Sequence, residues 1–250
     1  MRKVEWISHR GESFDAPENT IRAFQLAMER ETDGIETDIH LTGDGAVVCI
    51  HDSDTGRVGN RKLPVETTPL HELQEVDVSN GMAEFKGEKI PLFRSVLRIL
   101  RPGRVFFVEV KQNDERLLEA MRREIEEAGV PHDQIVMISF YREMVTASKR
   151  IMPSVRTLWL TGFTEENGTF RPTPEETIAF LKEAKADGID ARALEKAFDA
   201  EYIKALKDAG FYVAVWTVDD AGLAERYIAM GVDSITSNCA AKLRSILKGQ

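Results

Sequence analysis

The sequence predicts an α/β chain folded as a (β/α)8 TIM barrel, with a small lobe inserted after the second strand. Three observations lead there. The chain carries eight strand-like apolar segments, nearly all followed by a helical pattern, the alternation that builds a parallel sheet. Eight such units in 250 residues fit a closed barrel. Successive strand-like segments also end in titratable or charged groups: His9-Arg10-Gly11, Glu36-Thr37-Asp38, His51-Asp52 and Glu109-Val110-Lys111. Barrels of this kind carry their chemistry at the strand C-termini. A doubly wound open sheet is the runner-up, but the first strand lacks the glycine-rich dinucleotide loop common there.

Composition narrows the classes. Hydrophobic residues make up 42% and the formal net charge is −9, so a sizeable core is expected and nucleic acid or anionic membrane is disfavoured as main partner. Local charge can still oppose the global sign, which leaves an anionic small substrate open. Cys49 and Cys239 are far apart and outside any Cys-x-x-Cys spacing, so neither a disulfide framework nor a zinc site follows. Cys49 reads as a buried small hydrophobe. No apolar run approaches the roughly 20 residues of a membrane span. The N-terminus carries no apolar signal segment, so a cytoplasmic protein is expected. We expect one barrel domain over residues 1–250, with an insertion at about 52–91.

The first strand is expected over Lys3 to Ser8. A helix follows over about Glu18 to Arg30, with Pro17 at its start, where a missing N–H costs little. The second strand is Gly34 to Leu41; Ile35, Thr37, Ile39 and Leu41 face one way, and Glu36, Asp38 and His40 the other. Asp44-Gly45 reads as a two-residue hairpin turn into the run Ala46 to Ile50. With Gly43 opposite Ala46, His51 falls opposite Asp38, on the same face.

Residues 52–91 are irregular and too long for a simple connection, hence the expected lobe. Leu92 to Leu100 reads as helix, and Val105 to Lys111 as the third barrel strand. Helices are then expected at Glu115–Ala128, Arg142–Ile151, Pro174–Ala186, Ala200–Ala209, Ala221–Met230 and Cys239–Leu247. Strands are expected at Gln134–Ser139, Val155–Leu160, Gly188–Asp190, Phe211–Thr217 and Ser234–Thr236. Gly129 and Gly210 stand where helix C-caps belong.

If the apolar side of the second strand meets the helices, Glu36 and Asp38 point into the barrel, and Glu109 on the next strand joins them. Three buried carboxylates repel and are costly to desolvate unless neutralised. An oxygen-only donor set suits Mg2+ or Ca2+ better than zinc; the rival is an ion-pair cluster with Arg10 and Lys111. His9 and His51 lie at strand tops beside the carboxylates, where a pair of imidazoles can divide acid and base roles near neutral pH. His40, His71 and His132 are expected at the surface or in the lobe. Metal, Arg10 and Lys111 together suit a phosphoryl group whose developing charge needs stabilising. Trp216, Phe140 and, more weakly, Trp159 are candidates for a substrate-pocket wall, with rim packing as the alternative. Ser237-Asn238 reads as a cap on the last helix.

Taken in order, His9-Arg10-Gly11, Glu18-Asn19-Thr20, Glu36-x-Asp38, Thr42-Gly43-Asp44-Gly45, His51-Asp52, Glu109-x-Lys111 and Trp216-Thr217 resemble the glycerophosphodiester phosphodiesterase family. So do Glu88-Lys89-Ile90-Pro91-Leu92, at the close of the insertion, and the last strand, Gly231 to Asn238. The resemblance spans nearly the whole chain. It implies a (β/α)8 barrel that hydrolyses glycerophosphodiesters to sn-glycerol 3-phosphate and an alcohol, within glycerol and lipid metabolism. It also implies one divalent metal, Mg2+ or Ca2+, on Glu36, Asp38 and Glu109. His9 and His51 would be the acid/base pair, and Arg10 and Lys111 would bind the phosphate. Two segments depart from the family pattern. Asp52-Ser53-Asp54-Thr55-Gly56-Arg57 is only similar to the usual Asp-x-Thr run with a following Arg. Ala191-Arg192-Ala193-Leu194-Glu195 replaces a more usual Asn-containing segment. Both bear on the alcohol half of the substrate. Two alternatives stay open: a phospholipase-like phosphodiesterase for lysophospholipids or cyclic phosphates, which would show an exposed apolar rim, and a non-catalytic barrel binding a phosphorylated ligand.

Overall fold

The computed structural model describes residues 4–248; Lys3, the expected start of the first strand, lies outside them. Among the described residues, eight parallel strands close on themselves: β1 (Glu5–Ser8), β2 (Gly34–Leu41), β4 (Val105–Val110), β5 (Ile135–Ser139), β6 (Arg156–Thr161), β9 (Gly188–Arg192), β10 (Tyr212–Trp216) and β11 (Ser234–Ser237). Closure is made where β1 pairs with β11 on one side and with β2 on the other. The helices α1 (Ile21–Glu29), α3 (Phe93–Leu97), α4 (Glu115–Ala128), α5 (Arg142–Ile151), α6 (Pro174–Ala184), α7 (Ala200–Asp208), α8 (Ala221–Met230) and α9 (Ala240–Lys248) follow the strands. Two large apolar clusters fill the space between strands and helices.

The strand interiors stack in layers of four from alternate strands, as the stagger of such a barrel requires. Ile7, Phe107, Leu158 and Ala214 form one layer and belong to the apolar cluster inside the barrel. Above them the register places Glu36, Ile138, Asp190 and Thr236. Glu109, Leu160 and Trp216 come next towards the mouth, with His9 just beyond β1. Polar side chains thus replace apolar ones as the barrel opens.

The short antiparallel strand β3 (Val47–Cys49) extends β2, and its register corrects the sequence expectation. His40 pairs with Val48 and Leu41 with Val47, so Ile50, not His51, lies opposite Asp38; Ile50 N donates to Asp38 O at 3.1 Å. The turn is longer than two residues because Thr42 N bonds to Ala46 O, while Gly43 N is drawn off to Thr68 O. The lobe supplies that competing acceptor, which spacing within the hairpin cannot reveal.

The inserted segment carries the short helix α2 (Leu70–Leu73) and its own apolar cluster, built from Val58, Val65, Leu73, Val76, Val78 and Ile90 against Val48 and Ile50. A second excursion went unread: β7 (Thr164–Glu166) and β8 (Thr169–Arg171) form a hairpin. Asn167 and Gly168 both have positive φ, the Asn-Gly signal of a two-residue turn. Other element ends shift by a few residues. Helix α1 begins at Ile21, later than the expected Glu18, because Thr20 caps it by accepting from Ala23 N.

Candidate active site

The site is built at the strand C-termini by loops that the first strand begins. After Ser8 the chain turns through Arg10 (φ 56°) and Gly11 (φ 82°). Gly11 lies against α1, where a Cβ would fall 2.5 Å from the Ala23 carbonyl carbon, so only glycine fits. Asn19, also at φ 56°, returns its N–H to Arg10 O at 3.0 Å. This tight loop aims three consecutive residues at different tasks. Glu18 Oε1 accepts from Arg10 Nη1 at 2.9 Å. Asn19 Nδ2 donates to Asp38 Oδ2 at 2.9 Å, while its Oδ1 accepts from Thr37 Oγ1 at 2.7 Å. Thr20 caps α1.

Glu36, Asp38 and Glu109 bring one oxygen each to within 4.8 Å of one another, and all three are buried. Arg10 N donates to Glu36 Oε2 at 3.0 Å. Arg10 Nε lies 3.1 Å from Asp38 Oδ2, and Lys111 Nζ lies 2.8 Å from Glu109 Oε1 and 3.5 Å from Asp38 Oδ1. Two fixed cations face three carboxylates, and the environment divides the protons accordingly. Burial raises all three, but Arg10 and Lys111 outweigh it at Asp38 and hold that carboxyl well below its usual range. Burial and then the Asp38 charge lift Glu36 well above the carboxylate range and push Glu109 up to about 8. Among the described residues Asp38 Oδ1 is buried and has no hydrogen-bond donor, only the Lys111 ammonium at 3.5 Å. An all-oxygen cluster whose carboxyl groups outnumber its cations, two of them driven to keep their protons by burial and mutual repulsion, fits a hard divalent ion.

The two histidines flank this cluster in different surroundings. His9 Nε2 is 3.9 Å from Glu36 Oε2, and its Nδ1 is 2.7 Å from Asn238 Oδ1. Burial, then the Arg10 charge, lowers His9 to about 4. His51 Nδ1 is 2.6 Å from Asp52 Oδ1, and Asp52 Oδ2 accepts from Arg57 Nε at 2.6 Å. Arg57 also reaches Glu18 Oε2 and Oε1, at 2.7 and 2.8 Å. This one lobe residue therefore ties the His51 side of the mouth to the Arg10 side. Although not opposite Asp38 in the ladder, His51 is near enough for its charge to act on that carboxylate.

Phe140 and Trp216 meet edge to face with centroids 5.8 Å apart, and Trp216 Nε1 donates to Asp190 O at 3.3 Å. Trp159, by contrast, points outwards to the helices, packed on Phe180 and beneath Arg142, because β6 sends Leu158 and Leu160 inwards. His40 is another correction. It is buried, with Nε2 3.3 Å from His51 O, since the inward face of β2 continues beneath the lobe. His71 is exposed, and His132 Nδ1 lies 2.6 Å from Ser154 Oγ, away from the mouth. Of the expected cap on the last helix, Ser237 Oγ accepts from Cys239 N at 3.1 Å, whereas Asn238 turns its side chain to His9. The sequence reading missed Asn19, Arg57, Asp190, Asn238 and Asp219, whose Oδ2 accepts from Asn238 Nδ2 at 2.7 Å, as members of this network. Asp190 is buried in the layer of Glu36, with Oδ1 unpartnered among the described residues, and burial pushes it up to about 8.

A closed parallel barrel with an acidic cluster, two histidines and two cations gathered at its C-terminal mouth is the architecture of a barrel hydrolase. The chain belongs to the glycerophosphoryl diester phosphodiesterase family, whose model matches residues 9–242. A glycerophosphodiester phosphodiesterase of Caldanaerobacter subterraneus is 28% identical over 93% of both chains. The crystal structure of a glycerophosphodiester phosphodiesterase from Parabacteroides distasonis superposes with a TM-score of 0.80 at 28% identity, covering 100% of this chain and 99% of the other. The fold is also that of an Oleispira antarctica phosphodiesterase solved with its product sn-glycerol-3-phosphate, with a TM-score of 0.86 at 24% identity over 98% of this chain and 96% of that one. Among the described residues no helix is long and apolar enough to cross a membrane.

Proposed function

We propose that the chain hydrolyses glycerophosphodiesters to sn-glycerol 3-phosphate and an alcohol, with His9 and His51 as base and acid. The observation that carries this is the cluster of Glu36, Asp38 and Glu109 set between two histidines of unlike environment, in a chain of this family. Glu36, Asp38 and Glu109 would hold one divalent ion, Mg2+ or Ca2+, which when bound supplies charge neutralisation at the phosphoryl oxygens. Arg10 and Lys111 add fixed positive charge for the phosphate, and they are already drawn to the cluster by Asp38 and Glu109. His9, held neutral by burial, accepts a proton at Nε2 from water or from the substrate's glycerol hydroxyl. His51 keeps its Nδ1 proton on Asp52 and delivers one from Nε2 to the departing oxygen. Phe140 and Trp216 form the wall against which the organic part of the substrate packs.

A leaving-group comparison tests the assignment. An alkoxide leaves poorly, so losing the acid should cost about 10²–10⁴-fold on glycerophosphocholine. A nitrophenolate leaves without a proton. A nitrophenyl glycerophosphodiester should therefore restore His51→Ala and leave His9→Ala impaired. Selective restoration of His9→Ala would reverse the roles, and restoration of neither would remove both from simple acid catalysis.

One observation favours a second reading, a lysophospholipid substrate. Phe14, Phe140 and Tyr141 are exposed aromatic residues on loops that follow β1 and β5 at the mouth, a place where an acyl chain could lie. Turnover of a lysophospholipid at a rate matching glycerophosphocholine would favour it; no turnover would leave the water-soluble diesters.

A further inference from the structure

The loops after β10 and β11 close a polar clamp on His9 that the carboxylate cluster does not account for. Asp219 Oδ1 accepts from Asn238 N at 2.8 Å and from Ser237 Oγ at 2.9 Å, and Asp219 Oδ2 accepts from Asn238 Nδ2 at 2.7 Å. A carboxylate only accepts, so the amide nitrogen of Asn238 must face it, and Asn238 Oδ1 must face the other way. There Oδ1 meets Ser13 Oγ at 2.9 Å and His9 Nδ1 at 2.7 Å. An amide oxygen also only accepts, so the hydrogen lies on His9 Nδ1. In the neutral ring Nε2 is then the bare nitrogen, on the side of Glu36 Oε2, 3.9 Å away.

We propose that Asp219 and Asn238 are positioning residues of the reaction. Asp219 orients the Asn238 amide, and the amide holds the neutral His9 ring in its Nδ1–H tautomer with the Nε2 lone pair turned towards the carboxylate cluster. The proposal rests on the reading of His9 as the proton acceptor. Without the clamp a neutral imidazole exchanges between two tautomers, and only one of them can take a proton at Nε2. Residues 9, 219 and 238 are remote in sequence but adjacent in the barrel, because β1 pairs with β11 and β11 with β10. A clamp that only tied the loops together would have no reason to set the donor direction through two side chains.

The test combines ring tautomer with turnover. Two-bond 1H–15N spectra of the histidine rings, with His9→Gln identifying the His9 signals, should show an Nδ1–H ring in the parent protein. Asn238→Ala should release the ring to an Nε2–H or mixed state and lower kcat about 10–100-fold, the range typical for loss of a histidine-orienting partner, with KM little changed. Asn238→Asp alone sets two carboxylates against each other and should also impair turnover. Combining Asn238→Asp with Asp219→Asn exchanges the two groups; it keeps an acceptor against His9 and a donor between the loops. The exchange should restore both the Nδ1–H tautomer and most of kcat, a rescue that does not depend on whether Asn238→Ala folds well. A His9 ring that remains Nδ1–H in folded Asn238→Ala overturns the proposal, as does an exchanged protein with the Nδ1–H ring and no recovered turnover. A fully active His9→Gln would instead sink the reading of His9 as base, and that result is read separately from the spectra.

Discussion

Glu109 and His9 show how one small volume imposes opposite proton preferences. In the metal-free fold, burial and the Asp38 charge push Glu109 up from 4.5 to about 8. The folded state holds more protons than the unfolded chain across that window, so this contribution to stability is present at low pH and lost as pH rises through about 8. His9 works in the other direction: lowered from 6.5 to about 4, it contributes stability that is lost as pH falls through that lower window. Above about pH 6.5, His9 is neutral in both states and the carboxyl groups dominate. In chelator, the melting temperature should therefore fall between about pH 6.5 and 8.5, with a shallower slope in Glu109→Gln. Asp190, also raised to about 8 by burial, keeps that slope from vanishing. A melting temperature that rises over this range would mean that the pairs with Arg10 and Lys111 outweigh the burial of the carboxyl groups. Trp216 allows a simpler check. If its ring forms the wall with Phe140, Trp216→Ala should raise KM more than it lowers kcat; unchanged KM would assign it to rim packing.

At the scale of elements, the loop between β1 and α1 sets the geometry of the cationic side. Arg10 donates its backbone N–H to Glu36 while its side chain lies on Asp38, and it does both from a left-handed backbone held by Gly11 beneath α1. A methyl group on Gly11 would strain the positive φ and strike the Ala23 backbone. Gly11→Ala should therefore destabilise by about 1–3 kcal/mol, read by denaturant midpoint, and lower turnover as Arg10 shifts. Parent-like stability and turnover together would show that this loop does not position Arg10. The β2–β3 hairpin teaches a related lesson. Its local residues predict a two-residue turn, yet the lobe's Thr68 carbonyl captures Gly43 N and the register differs by one. His51 still reaches the site because it lies just past the end of the ladder, anchored by Asp52, which Arg57 holds in turn.

For the molecule as a whole, the proposed metal site on the acidic cluster predicts that stability and activity depend on the same ion. Chelation should abolish hydrolysis, and Mg2+ or Ca2+ should restore it while raising the melting temperature. Binding to the folded state alone at a hundredfold excess over Kd contributes about 2.7 kcal/mol. Full activity after demonstrated removal of metal would leave the cluster as an ion-pair network. The eightfold alternation, the strand tops bearing His9, Glu36, Asp38, Glu109 and Lys111, and the inserted segment were legible because each is written in local periodicity or in residues one strand apart. Parity along β2 alone sends Glu36 and Asp38 inwards. What the tertiary structure decided is everything that depends on barrel closure: Asn238 against His9 across 229 positions of sequence, Arg57 bridging Asp52 and Glu18, Trp159 turned out to the helices, and Asp190 sharing a layer with Glu36. Those contacts join loops from strands that become neighbours only when the sheet closes, and hydrogen-bond partners at that separation leave no periodic trace in a single chain.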